Sequence, residues 1–63
     1  MPYGDVSELP PNIQRALPPH AQHIFMEAFN ASYHHGEVSA FRIAWSVVKK
    51  AGYHKDATGR WVR

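Results

Sequence analysis

The sequence predicts a mainly α-helical fold in which three helices are followed by a C-terminal β-hairpin. Two segments, residues 19–33 and 37–51, carry apolar residues at the i, i+3, i+4 and i+7 spacing of one helix face. The final stretch, YHKDATGRWVR, places a turn signal between short runs of good strand residues. A chain of 63 residues has room for one core only, so we predict that residues 1–63 form a single domain.

The first helix is predicted to be short, because prolines lie close together at both of its ends. Pro11 suits a first helical turn, whereas Pro18 disfavours helical backbone at the residue before it. A helix of about two turns is not stable alone, so it must pack on the rest of the chain. The side chains that we expect to face the central helix are Leu9, Ile13 and Leu17.

The central helix is predicted from Pro19 to Tyr33, with Gly36 as a stop in the left-handed conformation. Its apolar face comprises Ala21, Ile24, Phe25, Ala28, Phe29 and Ser32. Its opposite side comprises His23, Glu27, Asn30 and His34. The apolar face is expected to be covered by the flanking segments.

The third helix is predicted from about Glu37 to Ala51, with Gly52 as its C-terminal cap. Its apolar face comprises Ala40, Phe41, Ala44, Val47, Val48 and Ala51, with Trp45 at the edge. The opposite face comprises Arg42, Ser46, Lys49 and Lys50. Lysines in the last turn complement the negative end of the helix dipole.

The hairpin is predicted around a type I turn at Asp56–Gly59, with aspartate first and glycine last. Because a lone two-stranded hairpin is marginal in water, we expect Trp61 or Tyr53 to pack against the helices. At the other end of the chain, Tyr3 either adds one residue to the sheet, as part of a short third strand, or lies on the core.

Composition indicates a cytoplasmic protein that is not an enzyme. The chain has no cysteine, which excludes disulfides and thiolate zinc sites. It has no apolar run near the ~20 residues of a membrane span, and its start lacks the features of a signal peptide. It also lacks a glycine-rich phosphate loop and a carboxylate pair with acid–base spacing. We expect so short a chain to lack a pocket of about 300 Å3 or more.

Charge is distributed unevenly along the chain. Residues 1–40 hold one arginine against four acidic residues, a net charge of −3, whereas residues 41–63 hold six basic residues against one aspartate, a net charge of +5. Such an asymmetry favours an acidic partner for the second half, which is either nucleic acid or an acidic protein or lipid surface. The candidate binding residues are Arg42, Lys49, Lys50, Lys55, Arg60 and Arg63. An exposed Trp61 could also stack on a base, and the alternative is an ordinary solvated basic face.

Five histidines are the other candidates for chemistry. His23 and Glu27 are spaced to share a zinc ion, but the same pair suits a solvated helix face, and we expect no metal or other cofactor. His20 is expected to orient the start of the central helix or to bond a backbone group. Protonation of all five would raise the formal charge from +2 to +7, so mild acid should strengthen binding to an acidic partner.

Two blocks of the chain, LPPNIQRALPPHAQHIFMEAFNASY and AWSVVKKAGYHKDATGRW, resemble the ChaB family. The most specific matches are Leu17-Pro18, His20-Ala21-Gln22, Ile24, Ala28-Phe29-Asn30, Ala44-Trp45, Val48-Lys49, Tyr53 and Gly59 to Trp61. The resemblance implies a small helical fold with a short sheet, and a role in regulating a sodium or calcium/proton antiporter encoded beside it. Related viral proteins are linked to nucleic-acid binding. The link from His34 to Ser39 is shorter here than in familiar members, so any function of that insert would be missing.

Overall fold

Two helices of equal length form the centre of the fold, which is seen in a computed structural model that describes residues 3–63. They are α2, Pro19–Ser32, and α3, Glu37–Lys50, joined by a short 3-10 turn at Tyr33–His35. A shorter helix, α1, spans Pro11–Ala16, and a 3-10 turn at Val6–Glu8 precedes it. The chain ends in strands β1, His54–Lys55, and β2, Trp61–Val62. The predicted three helices and C-terminal hairpin are confirmed.

Helices α2 and α3 run antiparallel and bury aromatic side chains between them. Phe25 contacts Trp45 with ring centroids 5.1 Å apart, and Phe29 contacts Phe41 at 4.9 Å. The alanines of α3 let the helices approach closely, since Ala40 and Ala44 are fully buried. Beyond these two, the core contains Leu9, Ile13, Leu17, Ala21, Phe25, Phe29, Val48 and Tyr53. No helix within residues 3–63 has the length and apolar character needed to cross a membrane.

Helix α1 is held on α2 by apolar burial and by the side chain of Gln22. Leu9, Ile13 and Leu17 are each at most 3% exposed, which confirms the predicted packing face. The Gln22 amide donates to the Gln14 carbonyl at 3.0 Å and to the Leu17 carbonyl at 2.8 Å. Carbonyl groups at the C-terminal end of a helix have no intrahelical donor. The Gln22 side chain of α2 supplies donors for these carbonyls and therefore helps to cap α1.

A glycine follows each long helix, but α2 ends at Ser32 with Tyr33 as its cap, and Gly36 closes the 3-10 turn after it rather than the helix itself. One apolar residue of α3 is also placed differently from the prediction. Gly36 has φ 102° and ψ 153°, a region that is essentially open to glycine alone, and Gly52 has φ 101°. Helix α3 ends at Lys50, with Ala51 as its cap residue. Val47, assigned to the apolar face, is 36% exposed, because α3 faces α2 with the stripe through Ala40, Ala44 and Val48 and with the Phe41 and Trp45 side chains.

The N-terminal segment crosses the far end of the helix pair without joining the sheet. The Tyr3 N–H donates to the Asn30 side-chain oxygen at 2.9 Å, and the Asn30 amide donates to the Tyr3 carbonyl at 2.7 Å. The Tyr3 ring lies 5.0 Å from that of Phe29. Of the two alternatives for Tyr3, packing on the core is therefore correct, and the described sheet has two strands only. The rest of that prediction falls on residues 1 and 2, outside the described residues.

Candidate interaction surface

Tyr53 attaches the hairpin to the start of α2. It is 6% exposed, and its hydroxyl lies 2.8 Å from Nδ1 of His20. The Tyr53 N–H also donates to the Val48 carbonyl at 3.4 Å. This bond fixes the position of Tyr53 relative to the C-terminal end of α3. His20 thus has the structural role that we predicted, but its partner is a side chain 33 residues away rather than a nearby backbone group.

A tryptophan pair attaches the hairpin to the flank of α3. The rings of Trp45 and Trp61 lie 5.2 Å apart with 34° between their planes, and both side chains are half-buried. Tyr53 and Trp61 both pack against the helices, as expected for a hairpin too short to be stable alone. Trp45 covers part of the Trp61 ring, so less of the Trp61 surface is available for stacking with a nucleic-acid base.

The turn of the hairpin is built around the Asp56 carboxylate. One of its oxygens accepts hydrogen bonds from the Thr58 N–H, the Thr58 hydroxyl and the Arg60 N–H at 2.9, 2.7 and 3.0 Å. These bonds, with that of Thr58 first, hold the pKa of the Asp56 carboxyl below its usual range, and the Arg60 charge lowers this pKa further. The Gly59 N–H closes the turn on the Asp56 carbonyl at 3.1 Å, and Gly59 has φ 89°. The predicted turn at Asp56–Gly59 is confirmed, with glycine at the position where L side chains are strained.

Three of the six candidate binding residues share a face with the tryptophan pair, and Arg60 projects from the other face of the hairpin. Arg42 and Lys49 precede and follow Trp45 by three and four positions on α3, which makes them its neighbours on the helix surface. Lys55 pairs directly with Trp61 across the hairpin, so the two side chains share one face of the hairpin. Arg60 follows the turn and adjoins Trp61 in the chain. All four are exposed.

The two remaining candidates lie apart from the tryptophan pair. Arg63 packs its stem beside Gly52 and places its guanidinium 5.3 Å from the centre of the Tyr53 ring. Lys50 lies three positions after Val47 and seven after Ile43, on the other flank of α3. We name the five residues other than Lys50 the basic hairpin end: Arg42, Lys49, Lys55, Arg60 and Arg63.

Asp56 is the acidic neighbour of the basic hairpin end, and the Arg60 charge lowers its pKa although the two side chains form no ion pair within residues 3–63. Within residues 3–63, the one ion pair joins His23 and Glu27 at 3.0 Å on the exposed side of α2. Most acidic residues lie toward the opposite end, and the carboxylate of Glu37 is close enough to Tyr3 to affect its pKa. Burial first and this charge second raise the pKa of the Tyr3 hydroxyl, with a smaller contribution from Tyr33. The charge asymmetry of the sequence is therefore also an asymmetry between the two ends of the fold.

An open groove of about 450 Å3 runs along the hairpin. The expectation that so short a chain has no pocket above about 300 Å3 is wrong. The groove forms because the hairpin is attached to the helices at Tyr53 and Trp61, and the space between β2 and the start of α2 stays open. It is lined by Pro18, Asp56, Thr58, Arg60, Trp61, Val62 and Arg63.

The sequence did not indicate Pro18 as a residue of the groove. Its role in ending the first helix accounted for its presence completely. It also placed Asn30 among the solvated residues of α2, whereas Asn30 is half-buried against Tyr3. No short-range signal distinguishes Asn30 from its solvated neighbours, because its partner Tyr3 lies 27 residues away in the chain.

The histidines form no metal cluster in the part of the chain that the structure describes. No group of three potential ligands from histidine, aspartate and glutamate comes together within residues 3–63. His23 binds Glu27, and the rings of His34 and His35 lie 4.0 Å apart at the end of α2. Zinc favours four protein ligands in structural sites and three in catalytic sites, so neither pair amounts to a metal centre.

Comparison with known proteins identifies relatives over nearly the whole chain. The family model described as ChaB matches residues 9–63. The protein named "Putative cation transport regulator ChaB" from Escherichia coli strain K12 is 34% identical over 73 aligned residues, which cover 97% of this chain and 95% of that protein. The protein of the same name from Shigella flexneri matches with the same identity and coverage. No solved structure matches the chain.

Proposed function

The chain belongs to the ChaB family, and on this basis we propose that it is a small, non-enzymatic binding protein that regulates cation transport. The observation that carries the proposal is the similarity to a named cation transport regulator over 97% of this chain. Because the similarity also covers 95% of that relative, the two chains correspond nearly end to end. The transporter that we propose as partner is a sodium or calcium/proton antiporter, bound at its cytoplasmic side.

The surface that we propose for docking is the basic hairpin end. Its five cations are exposed and form no ion pairs within residues 3–63, so their charge is available to an acidic segment of a partner. Charge of one sign on one surface accelerates association and selects partners of the opposite sign. Lys50 stays a candidate on the neighbouring flank of α3, where it could extend the contact along the helix.

Proton-driven cation exchange in inverted membrane vesicles that contain the antiporter tests this proposal. Purified protein added to the outer, cytoplasmic face should change the rate at which added cation collapses the pH gradient. The variant Lys49→Gln/Lys55→Gln/Arg60→Gln should lose most of this effect, whereas Arg15→Gln, which removes an exposed arginine from α1, should retain it. An unchanged exchange rate at saturating protein would contradict the proposed regulation.

The competing function is that of a nucleic-acid-binding accessory protein that uses the same basic residues. The density of unpaired cations favours it, since each phosphate contact requires such a charge. The half-buried position of Trp61 against Trp45 disfavours it, because base stacking needs a free aromatic face. Mobility shift of duplex DNA in graded salt separates the two functions. A shift that weakens steeply with salt would support nucleic-acid binding, and the lack of a shift at low salt would exclude it.

A further inference from the structure

The groove beside the hairpin follows the outer edge of β2. Four of its lining residues are the consecutive positions 60–63, while neither residue of β1 contributes. Four extended residues span about 13 Å at ~3.3 Å per residue, which matches a short segment of peptide. The groove is therefore a channel along one strand rather than a round cavity.

Backbone groups of β2 point into this channel without a partner strand. The Asp56 N–H donates to the Arg60 carbonyl at 2.8 Å, and the register pairs Lys55 with Trp61 and His54 with Val62. In an antiparallel ladder, hydrogen-bonded and non-hydrogen-bonded pairs alternate. The Trp61 N–H and carbonyl consequently point away from β1, toward the channel. An edge of this kind is a template for another strand.

The opposite wall of the channel cannot satisfy these groups. Pro18 has no N–H to offer, and its carbonyl already accepts from the Gln22 N–H at 2.9 Å. At the turn end, the Asp56 carboxylate is occupied by Thr58 and Arg60. A guest strand would thus find free backbone partners on β2 and an inert proline surface behind it.

The side chains of the channel define the chemistry of the guest. Trp61, Val62 and Pro18 provide apolar surface, and Arg60 and Arg63 provide two positive charges beside the single negative charge of Asp56. Neither arginine forms an ion pair within residues 3–63. Alternate side chains of a strand point to opposite faces, so Arg60 shares a face with Val62 and Arg63 shares the other face with Trp61. A guest segment that presents an acidic and an apolar residue on each of its faces would therefore satisfy both sets of contacts.

We propose that the edge of β2 binds an extended, acidic peptide segment of a partner protein as a third strand of the sheet. Strand addition supplies affinity through main-chain hydrogen bonds and specificity through alternate side chains. It would also stabilise a hairpin that has only two strands. The inference rests on the proposed function, since it specifies how an acidic segment of the partner would be held.

A short synthetic peptide of Glu-Glu-Val-Val repeats, which presents both residue types on each face of a strand, is the probe, titrated into the protein. Two measurements are made: affinity by calorimetry and exchange of the Trp61 amide proton by NMR. We expect saturating peptide to slow this exchange by roughly tenfold or more, as protection by a new hydrogen bond requires. Arg60→Gln/Arg63→Gln should weaken binding by roughly tenfold, the combined effect of two exposed ion pairs. Arg15→Gln, which removes an exposed arginine from α1, should leave the affinity unchanged.

The matched control is the same peptide with its backbone nitrogens methylated on the edge that would face β2. Methylation keeps every charge but removes the donors, so binding should be lost. Equal binding of both peptides, or an unchanged exchange rate at Trp61, would overturn strand addition. If the vesicle assay still shows regulation in that case, only this inference fails. If the peptide adds as a strand but the exchange of cations in vesicles is unaffected, the proposed function fails instead.

Discussion

The two ends of the α2–α3 pair are both covered by an extended segment, but the coverings differ in what they leave free. At the N-terminal end, Tyr3 and Asn30 exchange two hydrogen bonds, and the tyrosine ring packs on Phe29. At the hairpin end, Tyr53 bonds the His20 side chain and the Val48 carbonyl, and Trp61 packs on Trp45. The first end satisfies its polar groups internally, while the second leaves a strand edge and five cations exposed.

Because of this difference, we expect the N-terminal end to contribute mainly to the free energy of unfolding and the hairpin end mainly to association with a partner. At ~0.05–0.15 kcal/mol per residue, the whole domain is expected to have roughly 3–9 kcal/mol. Contacts at the N-terminal end and in the core should therefore dominate unfolding measurements. Substitutions on the exposed face of the hairpin end should leave unfolding nearly unchanged and alter association instead.

The largest effect should come from the residue that both ends depend on. Phe25 is fully buried and contacts Phe29, Phe41 and Trp45. Phe25→Ala should cost about 3–5 kcal/mol, most of the stability, as measured by urea denaturation. If this variant unfolds at the same urea concentration as the parent, the assigned core is wrong.

The next effect concerns the N-terminal end alone. Asn30→Ala removes both hydrogen bonds to Tyr3 and leaves two backbone groups without partners, so it should cost about 1–3 kcal/mol. Asn12→Ala, an exposed asparagine of α1, is the matched control and should be nearly neutral. Amide exchange should accelerate at Tyr3 but not at Tyr53, whose N–H donates to the Val48 carbonyl. Equal loss of protection at the two ends would show that they are not independent.

The contact between His20 and Tyr53 should have a smaller effect, localised to the hairpin end. Tyr53→Phe keeps the packing and removes the hydroxyl, so it should cost about 0.5–1.5 kcal/mol. A double-mutant cycle with His20→Ala isolates the interaction. Additive losses would mean that the 2.8 Å contact contributes nothing to stability.

The smallest expected effect is a loss of hairpin stability in acid. Hydrogen bonds lower the pKa of Asp56, first through Thr58, and that of Asp5, first through Ser7. A carboxyl whose folded pKa lies below its unfolded value of about 3.9 stabilises the fold above that pH, and the contribution is lost as pH falls through the folded pKa. The measurement is an NMR titration from neutral pH to strong acid. In Asp56→Asn, the acid transition should disappear from the signals of Trp61 but remain in those of Ser7. Retention of the acid transition at Trp61 would exclude Asp56 as its source.

Local sequence signals predicted most of the fold, because its elements follow short-range rules. The stripe through Ala21, Phe25 and Phe29 defined α2, and the aspartate–glycine spacing of the turn defined the hairpin. Contacts between distant segments were not predictable in the same way. The partner of His20 lies 33 residues along the chain, and that of Tyr3 lies 27 residues away, and neither pairing has a periodic signature.

The candidate site likewise has features that local sequence predicts and features that depend on contacts between distant segments. The six basic residues could be identified from composition and position, whereas the separation of Lys50 from the others depends on which flank of α3 faces the hairpin. The groove could not be predicted at all, since it arises between Pro18 and β2, two segments that are each ordinary in sequence. That the basic residues bind a partner stays a prediction.

The measurement that tests the central claim most directly is chemical-shift mapping of the labelled, full-length protein with a soluble acidic segment of the antiporter. Perturbed amides should concentrate in residues 42–63 around the basic hairpin end, while those of the N-terminal end near Tyr3 and Asn30 stay in place. Binding should weaken as salt is raised, in keeping with contacts between exposed charges. Perturbations centred on the N-terminal end, or spread evenly over both ends, would contradict the account.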